Sequence, residues 1–258
     1  MKISVIHNLY KKNRHVNESV KLNLLALKKA NVDFEYILFN DNGDKDVFDD
    51  VEEFVSDTVK YHYSDINYGH KQCSGGWVGA IPLLTGDLVH NTGQDDVFSE
   101  MFYTKCIKNF TEYSDLSLCF SNAFEVNDNL QPRAIMLPPT HQGFEMYYSH
   151  PFNCFSQWFG VQNNKTTKAN NYMLAPGVVY KRSLHDEIGI PEIDNFLGVC
   201  DFEYWARVLF NNKRCMYIEH PCWLYRKSEY STSNEITDNK VNQLLDKVRN
   251  KYDSLLNI

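Results

Sequence analysis

Leu88-Val89-His90-Asn91-Thr92-Gly93-Gln94-Asp95-Asp96 is the stretch on which the fold turns: a short apolar segment runs into paired carboxylates, and the helix-like run Phe98 to Asn109 follows. That order predicts a strand, an acidic turn at its carboxyl end, and a helix leading away. Two adjacent hard oxygen ligands suit Mg²⁺ or Mn²⁺, an ion usually completed by water and the phosphates of a substrate. A solvated Asp-Asp helix cap is the competing reading of the same residues.

Upstream of this stretch the chain opens with a β-α-β rhythm. Ile3 to His7 reads as a buried strand, Val16, Val20, Leu24 and Leu27 repeat at helical spacing, and Phe34 to Phe39 makes a second strand. The connection is long enough for a right-handed parallel crossover. The second strand ends in the turn-rich cluster Asn40-Asp41-Asn42-Gly43-Asp44, which exposes Asp41. A helix is expected over Val47 to Phe54, a third strand over Thr58 to Tyr63, a helix over Trp77 to Leu84 despite Pro82, and an apolar strand over Leu116 to Phe120. Strands alternating with helices over the first 120 residues are the signature of an open α/β sheet.

Downstream the periodicity loosens. Residues 125 to 172 hold Pro132, Pro138, Pro139 and Pro151 among many Asn, Gln and aromatic residues, as expected of a loop-rich lobe within one domain. Order returns with a strand at Gly177 to Tyr180, an amphipathic helix over Phe202 to Phe210, a strand at Cys215 to Ile218, and a final helix with Val241, Leu244, Leu245, Val248, Tyr252 and Leu255 on one face.

The 258 residues fit one α/β domain, and 43% hydrophobic content supplies a core. A formal net charge of −7 without a long Lys/Arg run argues against a nucleic-acid surface and for a small molecule or neutral polymer as partner. Seven scattered cysteines, with no C-x-x-C pair, read as reduced thiols. No window of eighteen apolar residues predicts a transmembrane helix, and the expected compartment is the cytoplasm.

The order of these segments resembles family-2 glycosyltransferases of the GT-A fold. It rests on the opening strand Ile3-Ser4-Val5-Ile6, the strand ending Leu38-Phe39-Asn40-Asp41-Asn42-Gly43, Gly86-Asp87-Leu88-Val89 leading to Asp95-Asp96, and Asp201-Phe202-Glu203-Tyr204-Trp205-Ala206-Arg207. The resemblance covers most of the chain. It implies a mostly parallel, mixed open sheet flanked by helices in a single domain, with residues 1–120 holding the donor and 121–258 the acceptor. The implied activity is inverting, metal-dependent transfer of a sugar from a nucleotide-sugar donor to a saccharide or other hydroxyl acceptor.

By the same resemblance, His7, Asn8, Asn40 and Asp41 cradle the nucleotide, Asp95 is the metal ligand, and Asp96 with Lys71 attends the donor. Asp201 is the catalytic base, for which the local alternative is a cap of the Phe202 helix. The chain departs from the family's pattern at four places: Gly93 replaces the first Asp of the metal motif, Gly76-Trp77-Val78 replaces an Ala-Arg-Asn run, Cys200 replaces a Glu, and Ser228 replaces the His of Y-R-x-H, with His220 nearby as a substitute. Met173-Leu174-Ala175-Pro176-Gly177 falls where the family lines its acceptor pocket. Two other readings stand beside this one: a nucleotidyltransferase on a similar scaffold, and a non-catalytic nucleotide- or sugar-binding protein.

Overall fold

The computed structural model describes residues 1–69, 74–136, 161–162, 165–166, 173, 175–196, 198–228 and 238–256. The chain begins β1 (Lys2–Leu9), α1 (Val16–Lys29), β2 (Asp33–Asn40), β3 (Val59–Tyr63), α2 (Ser74–Ala80), β4 (Leu88–Thr92), β5 (Val97–Phe98), α3 (Glu100–Glu112) and β6 (Leu116–Val126). There follow β7 (Pro132–Met136), β8 (Val161–Gln162), β9 (Lys165–Thr166), β10 (Val178–Lys181), α4 (Leu184–Ile188), α5 (Ile193–Phe196), α6 (Cys200–Phe210), β11 (Arg214–Arg226) and α7 (Asp238–Leu256).

The main sheet has the order β3-β2-β1-β4-β10-β6-β11-β5, with β7 added to β6. Strands β3, β2, β1 and β4 pair in parallel. Strand β10 enters antiparallel between β4 and β6, so that β6 and its parallel partner β11 again run in the direction of β1. The sheet is therefore mixed but mostly parallel, as the resemblance implied.

Two apolar layers cover it. Strand alternation sends Ile3, Val5 and Leu9 to the layer of α1 and α3, and Ile6 to that of α2 and α6. Val16, Val20, Leu24 and Leu27 of α1 are all buried, and each contributes about 1.5–3 kcal/mol by leaving water. The described cysteines Cys106, Cys119, Cys200, Cys215 and Cys222 are buried and in no disulfide.

Three segments differ from expectation. The helix expected over Val47 to Phe54 is instead two 3₁₀ pieces, Lys45–Asp50 and Glu52–Phe54. Asp46, Asp49, Asp50, Glu52 and Glu53 crowd like charges at helical spacings, which destabilises an α-helix there. The Trp77 helix stops at Ala80, because Pro82 passes into the 3₁₀ turn Ile81–Leu83. The third helix starts only at Glu100: Ser99 caps it by accepting from the Phe102 N–H, while Val97 and Phe98 pair with Leu224 and Trp223 of β11.

Candidate active site

Asn8, Asn40 and Thr92 lie at the carboxyl ends of the neighbouring strands β1, β2 and β4, where open α/β folds bind ligands. The turn after β4 is stapled from below. Gln94 accepts from the Tyr10 N–H at 3.1 Å and donates to the Lys11 carbonyl at 2.9 Å, while its own carbonyl takes a hydrogen bond from Ser19 at 2.7 Å. The carbonyl of Asp96 is held by Asn23 at 3.0 Å. Both carboxylates then border one small space above Gly93. A Cβ on that residue would meet Asp96 Oδ2 at 2.7 Å and Asp95 Oδ1 at 3.9 Å, so glycine is what lets the acidic pair fold back over its own turn.

Burial pushes both carboxyls above the ordinary Asp range, and Asp96, fully buried, is raised further by the neighbouring Asp95 charge. For Asp95 the opposing influences are the Ser228 hydroxyl, the Arg226 guanidinium and Asn13. Asp96 Oδ1 is buried without a hydrogen-bond partner. A buried acid that is incompletely satisfied, with a half-buried one beside it, suits a divalent cation held partly by its substrate. No group of three His, Cys, Asp or Glu side chains capable of holding a metal occurs among the described residues, so the remaining ligands for a cation would be water and donor oxygens.

The far end of the chain closes over this turn. Arg226 is buried and donates to the Asp95 carbonyl at 3.2 Å and to Glu18 at 2.7 Å; its guanidinium also lies 2.8 Å from His15 Nδ1. Ser228 Oγ donates to Asp95 Oδ2 at 3.2 Å. Position 228, where the family's His would stand, is thus beside the acidic pair, whereas His220 sits exposed in the bulge between Ile218 and Trp223. The paired strand residues Trp223 to Arg226, on the order of 10 Å of strand, lie between the two, so His220 does not take the place of that His.

The expected nucleotide cradle is built differently from a row of exposed side chains. Asp41 accepts from the backbone N–H groups of Tyr68 and Gly69, both at 2.9 Å, and is buried. Asn40 is engaged with the Gly43 N–H, the Asp44 carbonyl and Tyr61. Asn8 donates to Asn91 at 2.9 Å and to the Thr92 carbonyl at 2.6 Å, leaving its Oδ1 unpartnered. His7 points into the α1 layer, where burial lowers its pKa to about 3 and Tyr36 lies 2.8 Å from Nδ1. It is neutral at physiological pH and does not face the edge. Lys71 lies outside the described residues.

Helix α2 rests directly on this cradle because it carries glycines. A Cβ at Gly75 would come within 2.1 Å of Asp41 Oδ2, and one at Gly76 within 2.3 Å of Asn8 Oδ1. Sequence reading passed over that signal in Ser74-Gly75-Gly76-Trp77-Val78-Gly79. Trp77 then donates to the Tyr180 hydroxyl at 2.7 Å and meets the rings of Tyr204 and Trp205 in α6 at centroid distances of 5.6 and 5.5 Å.

Asp201 stands in the first turn of α6, half-buried. The short turn from Phe210 to Arg214 makes α6 run back along β11, which puts this first turn on the carboxyl side of the sheet. The helix is capped at Val199 without a side-chain hydrogen bond, so Asp201 is not its N-cap. Ala175–Gly177, of the expected acceptor loop, forms a 3₁₀ turn against β4, with His90 Nε2 donating to the Pro176 carbonyl at 2.7 Å; Met173 is buried and Leu174 lies outside the described residues.

No family model and no curated protein matches the chain. Solved structures do. Residues 1–349 of S. aureus TarS in complex with UDP-GlcNAc are similar at 15% identity and a TM-score of 0.64, over 96% of this chain and 65% of that one. The chain shares the fold of TarS. The complex of TarS 1–349 with UDP gives 15% identity and a TM-score of 0.60 over 98% of this chain and 72% of that one, and TarS 1–349 alone gives 14% and 0.60 over 88% and 60%. This chain spans 43% of the longer TarS structure. The common architecture is the curled, open, helix-flanked sheet of a glycosyltransferase fold. No described helix is long and apolar enough to cross a membrane.

Proposed function

We propose that this chain is a cytoplasmic, inverting, metal-dependent glycosyltransferase of the GT-A fold, organised as one domain, that moves a sugar from a nucleotide-sugar donor to a hydroxyl of a saccharide or related acceptor. One observation carries the reading: a buried carboxylate, Asp96, and a half-buried one, Asp95, both with raised pKa, border one space at the carboxyl edge, in a fold shared with a protein solved with UDP-GlcNAc and UDP.

Asp95 and Asp96 would hold Mn²⁺ or Mg²⁺, whose chemistry there is neutralisation of charge on the departing diphosphate. Ser228 orients Asp95, and Arg226 fixes the backbone of the same turn from behind. Asn8, whose Oδ1 lies buried under Gly76 of α2, shapes the nucleotide cradle with Asp41, Asn40 and the buried His7, and Lys71 assists the donor. Asp201 takes the proton of the acceptor hydroxyl as that oxygen attacks the anomeric carbon and the bond to the diphosphate breaks on the opposite face.

Calorimetric titration with UDP and UDP-GlcNAc, with and without Mn²⁺, tests the reading. Wild type should bind in an Mn²⁺-dependent manner and Asp95→Ala should lose that dependence while folding normally, because a rim residue contributes little to the core. Unchanged Mn²⁺-dependent binding in Asp95→Ala would remove the assignment.

A further inference from the structure

Beyond the end of β6 lies a polar depression of about 360 Å³ lined by Asn127, Asp128, Asn129, Arg133, Lys227 and Ser228. We propose that it is a phosphate-binding subsite, set beside the acidic pair and taking a phosphate group of one of the two substrates. The inference deepens the transferase reading and depends on it for the identity of the substrates.

Val126, the last residue of β6, pairs with Pro132 of β7 on one side and with Arg226 of β11 on the other. Arg133 and Lys227 each follow one of those partners, so two cations flank the end of one strand. Both are exposed, and neither side chain makes a hydrogen bond or ion pair among the described residues. The single acid in the lining is already engaged: Asp128 Oδ2 accepts from Arg14 at 2.6 Å, and its Oδ1 lies 3.7 Å from His15 Nε2. Two uncompensated positive charges therefore face one hollow in a chain of net charge −7.

A guanidinium with an ammonium beside it is the donor set that recognises phosphate oxygens, the first by its fork and the second as a point charge. The amides of Asn127 and Asn129 add polar lining, although Asn127 also spans to Gln131. The volume sits at the low end of small-molecule sites, enough for a phosphate-bearing group rather than a whole nucleotide sugar. Ser228 links the hollow to the catalytic turn, since its hydroxyl touches Asp95. The phosphate has two possible sources: the donor's diphosphate, or a phosphate carried by the acceptor.

The test uses the full chain and the double variant Arg133→Gln/Lys227→Gln, whose exposed positions leave folding intact, as circular dichroism will check. Both proteins are titrated with orthophosphate, UDP and glucose 6-phosphate. The proposal expects orthophosphate affinity to fall at least about tenfold in the double variant, as for the loss of charge-assisted hydrogen bonds. A parallel fall for UDP assigns the subsite to the donor. A fall for glucose 6-phosphate with UDP unchanged assigns it to the acceptor. Absent orthophosphate binding in wild type, or equal binding in the two proteins, overturns the proposal. Mn²⁺-dependent UDP binding lost in Asp95→Ala is read separately, so either idea can fail while the other stands.

Discussion

Asp96 and Glu203 are both carboxylates sealed from solvent, and they are treated in opposite ways. Glu203 is satisfied on every side: Arg207 at 2.7 Å, Lys251 at 2.7 Å and the Tyr252 hydroxyl at 3.1 Å close around it and tie α7 to α6. Asp96 has an acid for a neighbour, one oxygen without a partner, and a pKa driven up by burial. A buried charge with full compensation is architecture, while one left short of partners makes the apo protein hold an unfavourable arrangement that a cation would relieve. On the proposed reading, the difference marks the turn after β4 as the place where folding yields to binding.

Removing the compensated acid should have the largest effect. Glu203→Ala removes the buried acid shared by Arg207 and Lys251, leaves Glu192 as their remaining carboxylate, and should cost about 3–5 kcal/mol in urea unfolding, the range for breaking a buried pair. A loss below about 1 kcal/mol, typical of surface pairs, would break the comparison.

Next comes Asp201→Asn, which keeps shape but accepts no proton. Its kcat should fall at least about a hundredfold, with donor affinity and thermal stability near wild type. Near-normal turnover would instead favour a non-catalytic role for Asp201, and inactivity of the wild type with every donor that it binds would favour a binding protein.

Asp96→Asn should sharpen the contrast through pH. The folded pKa of Asp96 lies well above its ordinary value of 3.8, so the native state holds more protons than the unfolded state once pH exceeds that value. Metal-free stability from this group therefore declines as pH rises from about 4 toward the folded pKa. The Asn variant should lack that slope and gain on the order of 1 kcal/mol at neutral pH by losing a buried, poorly satisfied charge, while Mn²⁺-dependent UDP binding disappears. Identical pH–stability curves for the two proteins would contradict the raised pKa.

The smallest effect is expected for Gly93→Ala. The added methyl must displace Asp96 Oδ2 from 2.7 Å, so Mn²⁺-dependent UDP affinity should weaken severalfold. Stability should change by less than about 1 kcal/mol, because the turn lies at the sheet's edge. Affinity equal to wild type would show that the carboxylates do not need their close approach over this residue.

The sequence by itself determined the alternation of strands and helices, the apolar stripes of α1 and α6, and the placing of Asn8, Asn40 and Asp95 at strand ends. These are local properties: side-chain periodicity of two or 3.6 residues and turn chemistry are written within a few positions of each residue. The tertiary structure alone decided what each of those side chains meets. Asp41, legible as an exposed acid, is consumed by the Tyr68 and Gly69 amides because α2 brings glycines onto it. His7 falls on the inner side of β1 through strand alternation, which sequence distance from a turn does not reveal. Ser228 reaches Asp95 across 133 positions, and Lys251 reaches Glu203 across 48. Such pairings depend on β10 entering between β4 and β6 and on β11 returning beside β6, which no short window of sequence encodes. Partners distant in the chain meet only after the sheet has closed the long loops between them, and that meeting divides the compensated carboxylate from the one left short of partners.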